Sequence, residues 1–151
     1  ETKERFIPHI VETSAGLARH FLMFLDNAYN EEETANGETR VFLKLHPALS
    51  PIKCAIFPLL KNKPELVAKA REIFLNLRTK FMCEFDDNGN VGKRYRRQDE
   101  IGTPFCVVVD FDTLGENIDL LDTVTVRDRD TGEQERVAIV DLESYISRRL
   151  A

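Results

Sequence analysis

The chain has 151 residues, of which 42% are hydrophobic and 31% are charged, and its formal net charge is −5. This composition is typical of one folded domain with a short appendage, and it excludes a disordered chain. No apolar run approaches the length that spans a bilayer, so we expect no membrane association. An acidic chain does not bind nucleic acid by general phosphate neutralisation, so any such binding must use a local basic patch.

The cysteines and histidines predict neither disulfides nor a metal site. Three cysteines are an odd number and stand far apart without a CxxC pair, which indicates reduced thiols in a cytoplasmic protein. The histidines show no metal-ligand spacing with one another or with the cysteines. These residues are Cys54, Cys83, Cys106, His9, His20 and His46. The chain also begins without an initiator methionine or a signal-peptide pattern, so we expect it to be a segment of a longer protein.

The first part of the chain predicts a strand followed by a helix. Residues 6–11 are apolar and predict a short strand, and a helix is expected to open near Ser14 or Gly16. This helix is apolar around much of its circumference, so we expect it to be largely buried. Residues 30–40 (NEEETANGETR) are polar and acidic, which predicts a linker and a domain boundary.

From Val41 onward, the pattern predicts the order β-α-β-α-β-β-β-α. Strands are expected within residues 52–60, 82–85, 105–111, 123–128 and 136–140, and helices over residues 64–81, 92–101 and 142–150. The first three strands alternate with helices and should therefore be parallel, whereas the last two should form an antiparallel hairpin. The predicted fold class is α/β, with a five-stranded mixed sheet flanked by helices on both faces.

One stretch combines a basic run with a buried strand. Residues 93–97 (KRYRR) are the densest basic run of the chain, and Phe105 to Val109 form a continuous apolar run that predicts a strand buried on both faces. That strand ends in Asp110-Phe111-Asp112-Thr113. Because α/β sheets bind ligands outside the carboxyl ends of their strands, this end is a candidate binding edge.

Five short motifs follow one another in this second unit: HPALSPIK at 46–53, GKRY at 92–95, DEIG at 99–102, DFDT at 110–113 and TVRDRD at 125–130. In order and spacing they resemble the C-terminal anticodon-binding domain of class II aminoacyl-tRNA synthetases, and within that group the glycyl-tRNA synthetases. The resemblance implies that residues 1–29 are the end of a catalytic domain, residues 30–40 a linker, and residues 41–151 the anticodon-binding domain.

The segment Glu12-Thr13-Ser14-Ala15-Gly16-Leu17-Ala18-Arg19 resembles the third class II motif, with Thr13 where the family more often has proline. The resemblance implies that Arg19 contacts an ATP phosphate, and that Glu12 and Ser14 hold the ammonium group of glycine. Ser14 as a helix N-cap and Arg19 as an exposed helix arginine are the alternatives. It also implies ATP with Mg²⁺ and a homodimer for the full-length enzyme. The first and second motifs are absent, so this chain alone is expected to be inactive.

The resemblance and the residue chemistry together predict an anticodon site formed by Lys93, Arg94, Phe111, Asp112, Arg127 and Arg129. The lysine and the first arginine would contact the RNA backbone, unless they are solvated or paired with nearby carboxylates. Phe111 would stack on an unpaired base, or else belong to the core. Asp110 or Asp112 would accept a hydrogen bond from cytosine N4, since glycine anticodons carry two cytosines. The last two arginines lie near a predicted hairpin tip, where side chains can reach RNA.

The predicted partner is therefore glycine tRNA, bound at its anticodon loop. One alternative is a non-catalytic nucleic-acid-binding accessory module, since a DNA polymerase accessory subunit resembles the same fold. The presence of Glu12, Ser14 and Arg19 disfavours it, because a module without catalysis has no need for them. A small-ligand α/β enzyme is a further alternative, but the sequence has neither a Gly-rich phosphate loop nor a nucleophile–base pair to support it.

Overall fold

The computed structural model describes residue 3, residues 5–34 and residues 37–150. Parts of the predicted first domain, linker and last domain, at residues 1, 2, 4, 35, 36 and 151, lie outside the described residues. In chain order, the helices and strands are α1 (Leu17–Ala28), β1 (Tyr29–Glu33), β2 (Thr39–Leu43), β3 (Cys54–Pro58), α2 (Pro64–Leu77), β4 (Cys83–Phe85), α3 (Val91–Ile101), β5 (Phe105–Val109), β6 (Thr123–Asp128), β7 (Gln134–Ala138) and α4 (Leu142–Arg149).

The main sheet has five strands in the order β4-β3-β5-β6-β7. Strand β3 pairs in parallel with β4 and β5, while β6 is antiparallel to both β5 and β7. Every residue of β5 is buried, as expected for a strand that is covered on both faces. The predicted order of elements and the mixed five-stranded sheet are confirmed.

Two cores lie on opposite faces of this sheet. The larger one packs α2 and α4 against one face, and includes Ile56 of β3 and Val107 of β5. The smaller one packs α3 against the other face, where Phe57 meets the Tyr95 ring edge-on at 5.8 Å between centroids. Because side chains alternate along a strand, neighbouring residues of β3 and β5 serve the two cores. Helices therefore flank both faces, as predicted.

The three cysteines are free thiols. Cys54 and Cys83 are in register on β3 and β4, with their sulfur atoms 3.2 Å apart. Within the described residues, no group of three or more His, Cys, Asp or Glu side chains could hold a metal ion. None of the helices in these ranges has the length and apolarity needed to cross a bilayer.

The N-terminal segment differs from the prediction in two ways. Residues 6–11 are not a strand, because a strand needs a hydrogen-bonded neighbour and the described chain offers none. Helix α1 begins at Leu17 with Gly16 as its N-cap residue, but only Ala28 of this helix is buried. Phe21 and Leu22 remain 65% and 66% exposed, so the prediction of a largely buried helix is wrong. Its apolar side chains simply have few described neighbours to pack against.

The two ends of the predicted linker, residues 30–40, belong to the two strands of a β-hairpin. Strand β1 pairs antiparallel with β2, from Tyr29 opposite Leu43 to Glu33 opposite Thr39. Arg40 of β2 is buried, and it donates to Asp99 of α3 at 2.8 Å and to Glu32 of β1 at 2.6 Å. The polar composition that predicted a linker therefore belongs largely to a hairpin that is fastened to α3. The domain boundaries themselves stay a prediction.

Candidate nucleic-acid interface

The three parallel strands end at one edge of the sheet, which we call the carboxyl edge. Strand β3 leads there into residues 59–62, β4 into residues 86–90, and β5 into residues 110–113. Ligand pockets in proteins have volumes of about 300–1,000 Å³. The groove at this edge measures ≈ 440 Å³ and is lined by Leu59, Leu60, Lys61, Asn62, Gly89, Asn90, Val91 and Arg94.

The N-terminus of α3 borders this groove. The side chain of Asn90 accepts a hydrogen bond from the backbone N–H of Lys93 at 2.9 Å, which caps the helix. The Lys93 side chain is exposed and makes no hydrogen bond or ion pair with any described residue. A helix N-terminus carries partial positive charge, so its amides and Lys93 can act on one anion together. The structure thus leaves the Lys93 side chain available to a ligand, and its contact with RNA stays a prediction.

The rest of the basic run is occupied by protein partners. Arg94 is 1% exposed, and its guanidinium donates to the backbone carbonyls of Pro58, Asp87 and Gly89. Burial lowers the pKa of Arg94 from its ordinary value. The prediction that Arg94 contacts RNA is corrected: its guanidinium is enclosed, and it ties the loop after β4 to the end of β3.

The next two basic residues pair with carboxylates at the surface. Arg96 pairs with Glu38, which lies between β1 and β2. Arg97 donates to Asp86 through two nitrogens, at 3.0 and 2.5 Å, and also to the Asn88 carbonyl. Of this basic run, the described contacts therefore leave one cation, Lys93, without a protein partner.

Arg127 and Arg129, the two arginines predicted near the tip of the β6–β7 hairpin, lie away from the carboxyl edge. Because β6 runs antiparallel to β5, Arg127 stands opposite Cys106 near the other end of the sheet. Arg129 is 1% exposed and donates to the carbonyls of Gly102 and Leu45, at 2.6 and 2.7 Å. Arg129 lies in the turn after β6, as predicted, but the expectation that its side chain is open to RNA is wrong, because the loop after β2 and the loop after α3 enclose its guanidinium and supply acceptors.

Arg127 is also engaged within the fold. Its guanidinium donates to both oxygens of Asp99, at 3.0 and 3.3 Å, and lies 4.7 Å from the centre of the Tyr95 ring. Its carboxylate partner is therefore Asp99 of α3. Arg127 holds β6 to α3, and the structure does not bring it together with Lys93 or Asp112.

Phe111 and Asp112 do lie at the carboxyl edge, directly after β5. The Phe111 ring is half-buried and packs against the larger core, on the face of α2 and α4. This contact favours a core role for much of the ring, while its exposed part leaves base stacking as a prediction. The Asp112 side chain is 41% exposed, and its described ionic partner, Arg136, stays at 3.6 Å.

Asp110 is the most heavily bonded carboxylate at this edge. It accepts from two nitrogens of Arg136, at 2.5 and 2.9 Å, and from the backbone and hydroxyl of Thr113, both at 3.1 Å. Burial acts to raise the pKa of Asp110, but the bonds from Arg136 and Thr113 outweigh it and lower that pKa overall. This carboxylate is therefore ionised and already satisfied.

The sequence analysis missed Arg136 and Lys61. Arg136 lies on β7 opposite Thr125 of β6, which brings it beside Asp110 although 26 residues separate the two along the chain. Lys61 is exposed and lines the groove after β3. The rule that ligands bind at the carboxyl ends of parallel strands applied to β3 as well as to β5, and it would have found Lys61.

The residues predicted for ATP and glycine lie in the N-terminal segment. Glu12 and Ser14 are exposed in the segment before α1, and Arg19 is exposed on the first turns of α1. Gly16 caps the helix with no side-chain hydrogen bond, so the alternative role of Ser14 as the N-cap is not seen. The structure therefore leaves all three side chains exposed, and their roles toward ATP and glycine stay a prediction.

The geometry defines an α/β domain whose described residues place two exposed lysines, Lys61 and Lys93, a capped helix N-terminus and an exposed carboxylate at the carboxyl edge. Such an edge suits a phosphate backbone with an unpaired base beside it. The sequence matches the family described as the anticodon-binding domain over residues 53–149, which is more than half of the chain. The chain belongs to this family of anticodon-binding domains.

Similar curated proteins agree with this assignment. The chain is 54% identical over 149 residues to a glycine–tRNA ligase of Borrelia garinii subsp. bavariensis, a match that covers 99% of this chain and 32% of that protein. It is 50% identical to the glycine–tRNA ligase of Thermobifida fusca and 51% identical to that of Streptomyces coelicolor, again over 32% of each. The chain thus spans about a third of the length of these relatives.

Proposed function

We propose that this chain binds the anticodon loop of glycine tRNA at the carboxyl edge of its sheet, as the anticodon-reading part of a glycine–tRNA ligase. The observation that carries the proposal is Lys93, an exposed cation at the N-terminus of α3 in a domain of the anticodon-binding family. Lys93 and the α3 amides bind the RNA backbone, Lys61 adds positive charge across the groove, and Asp112 with the exposed part of Phe111 contacts bases.

The proposal extends to the longer protein to which such a chain would belong. There, ATP activates glycine before its transfer to tRNA, Arg19 contacts an ATP phosphate, and Glu12 and Ser14 hold the glycine ammonium. The exposure of these side chains supports this, since each is open to a ligand. ATP would arrive with Mg²⁺, which needs oxygen ligands beyond those that this segment offers. We place this enzyme in the cytoplasm as a homodimer.

Because the chain spans about a third of its relatives, we propose that it does not activate glycine by itself. The chain should therefore show no glycine-dependent exchange of pyrophosphate into ATP, even at high protein concentration. Exchange above background, in protein freed of host ligase, would contradict this part of the proposal and leave the anticodon part untouched.

Binding of RNA stem-loops, followed by fluorescence anisotropy across a range of salt concentrations, tests the anticodon part. Lys93→Ala should weaken binding of glycine and non-glycine stem-loops alike, and reduce the slope of log K against log salt by about one. Lys44→Ala is the matched control, because Lys44 is also exposed but follows β2, next to the Leu45 carbonyl that Arg129 binds at the far end of the sheet. Equal effects of the two substitutions would refute the carboxyl edge as the binding surface.

A further inference from the structure

We propose that Asp112 and Arg136 form a reading pair for the amino edge of an unstacked cytosine, and that Asp110 positions Arg136 for this task. The inference deepens the anticodon function proposed above and rests on it. It assigns base selectivity to one carboxylate–guanidinium pair at the end of β5, and it gives a defined role to Arg136, which the sequence motifs did not single out.

The first step is that Asp110 has no capacity left for a base. One of its oxygens accepts from Arg136 Nη2 and from the backbone and hydroxyl of Thr113, and the other accepts from Arg136 Nη1 at 2.5 Å. The Thr125 hydroxyl also contacts that second oxygen, at 3.5 Å. A carboxylate offers about four lone-pair directions, so these contacts saturate it. Of the two aspartates considered from the sequence, Asp112 is therefore the one that can accept from RNA.

The second step is that Arg136 is held in place but keeps one donor free. Its Nη1 donates to Asp110 and to the Thr125 hydroxyl, at 2.5 and 2.8 Å, which uses both hydrogens of that nitrogen. Its Nη2 donates one hydrogen to Asp110 at 2.9 Å, and an Nη nitrogen carries two. The buried Nε has no hydrogen-bond partner among the described residues, so Asp110 and Thr125 alone fix the guanidinium.

The third step is the spacing between the free donor and the free acceptor. Asp112 Oδ2 lies 3.6 Å from Arg136 Nη2, which is beyond the range of a good hydrogen bond. The Asp112 side chain is 41% exposed and that of Arg136 is 23% exposed, so both reach solvent. An acceptor and a donor therefore stand side by side at the surface without satisfying each other.

This order of acceptor and donor fits the pairing edge of cytosine. The N4 amino group of cytosine can donate to Asp112 while its N3 accepts from Arg136 Nη2. Asp112 then takes the place of O6 of guanine in a base pair, and Arg136 Nη2 takes the place of N1–H. Uracil places a carbonyl and an N–H at the same two points, so both contacts become mismatched. Adenine also carries an amino donor next to a ring-nitrogen acceptor, but on a larger ring. A comparison among pyrimidines therefore isolates these two contacts from ring size.

The decisive probe leaves the protein unchanged and alters one group of the RNA. A glycine anticodon stem-loop with 2-pyrimidinone in place of each anticodon cytosine in turn lacks only the N4 amino group. At the position read by the pair, wild-type protein should bind this stem-loop about tenfold more weakly, and a uracil stem-loop more weakly still. Unchanged affinity at both positions would overturn the proposal.

Protein variants then locate the partner of that amino group. Asp112→Asn should bind the cytosine and 2-pyrimidinone stem-loops with nearly equal affinity, because it removes the acceptor that tells them apart. Asp119→Asn is the matched control: an exposed aspartate in the following turn, outside the pair, that should keep the tenfold difference. Arg136→Lys keeps the charge but loses the fork, and should reduce the preference for cytosine over uracil.

The outcomes separate this inference from the function on which it rests. A wild-type chain that binds no glycine stem-loop refutes the anticodon proposal as a whole. A wild-type chain that prefers cytosine, with the same preference in Asp112→Asn, refutes the reading pair alone. Because Asp112 is at the surface and outside both cores, Asp112→Asn should melt as the wild type does, which a thermal unfolding curve verifies.

Discussion

Replacing the buried Asp99 by asparagine should destabilise the domain more than a single charge change at its surface would. Asp99 is 2% exposed and accepts from Arg40 of β2 at 2.8 Å and from Arg127 of β6 at 3.0 and 3.3 Å. It therefore joins α3, the β1–β2 hairpin and the main sheet. Asp99→Asn keeps the size of the side chain but leaves two enclosed guanidinium groups without their shared carboxylate.

The magnitude follows from the contacts that remain. Removing one partner of a buried ion pair costs about 3–5 kcal/mol. Arg40 keeps Glu32 at 2.6 Å and the carbonyl of Arg129 at 2.6 Å, so the lower end of about 3 kcal/mol is expected. For a domain of this size each kcal/mol lowers the Tm by about 2–4 °C, which gives a fall of about 6–12 °C.

Thermal and urea unfolding followed by circular dichroism measure this effect. Glu100→Gln is the matched control, because Glu100 is the next residue of α3, carries the same charge, is exposed and has no ion pair with a described residue. It should change stability by less than about 0.5 kcal/mol. An Asp99→Asn protein as stable as the Glu100→Gln protein would refute the view that this network fastens the hairpin to the sheet.

Three further predictions test other parts of the fold. Arg94→Lys should lower stability by about 2 kcal/mol in urea unfolding, because a lysine cannot reach the carbonyls that the guanidinium joins; an unchanged urea midpoint would argue against that role. A chain without residues 1–37 should still unfold cooperatively, but at a lower urea midpoint than a chain without residues 1–28, since both lack α1 and only the shorter chain lacks β1; equal midpoints would show that the hairpin adds nothing. Asp110, whose pKa is lowered in the folded state, contributes stability above the ordinary carboxyl pKa that is lost as the pH falls through its lowered value. Asp110→Asn should therefore flatten the loss of stability in acid, measured as the urea midpoint against pH, and an acid limb as steep as that of the wild type would count against the pairing with Arg136.

The main sheet could be predicted because its signals are local. The apolar run from Phe105 to Val109, the helical spacing from Pro64 and the turn before β7 each indicate one element, and the alternation of strands with helices then fixes the parallel part. The β1–β2 hairpin escaped this reasoning because β1 (Tyr29–Glu33, YNEEE) is polar and shows no apolar alternation. The hairpin is held by Arg40, whose partner Asp99 is 59 residues away along the chain.

The site was predicted only in part, because sequence does not show which charges have partners. Lys93 and Arg94 are neighbours in one basic run, yet the first is exposed and the second is enclosed by carbonyls of two segments, the end of β3 and the loop after β4. Arg129 follows a strand as a hairpin residue should, but the loops around it bury it. Likewise, the apolar side chains of α1 indicated that the helix packs against a partner. They did not indicate whether that partner belongs to this chain, and the described residues leave most of α1 exposed.

The measurement that tests the central claim most directly is an NMR titration of ¹⁵N-labelled chain with a glycine anticodon stem-loop. The account predicts that the amide shifts change mainly at the carboxyl edge, in residues 59–62, 89–93 and 110–113, with Arg136 moving as well. Changes concentrated instead around residues 45–50 and 129–133, at the opposite end of the sheet, would contradict the account, as would no change at saturating RNA.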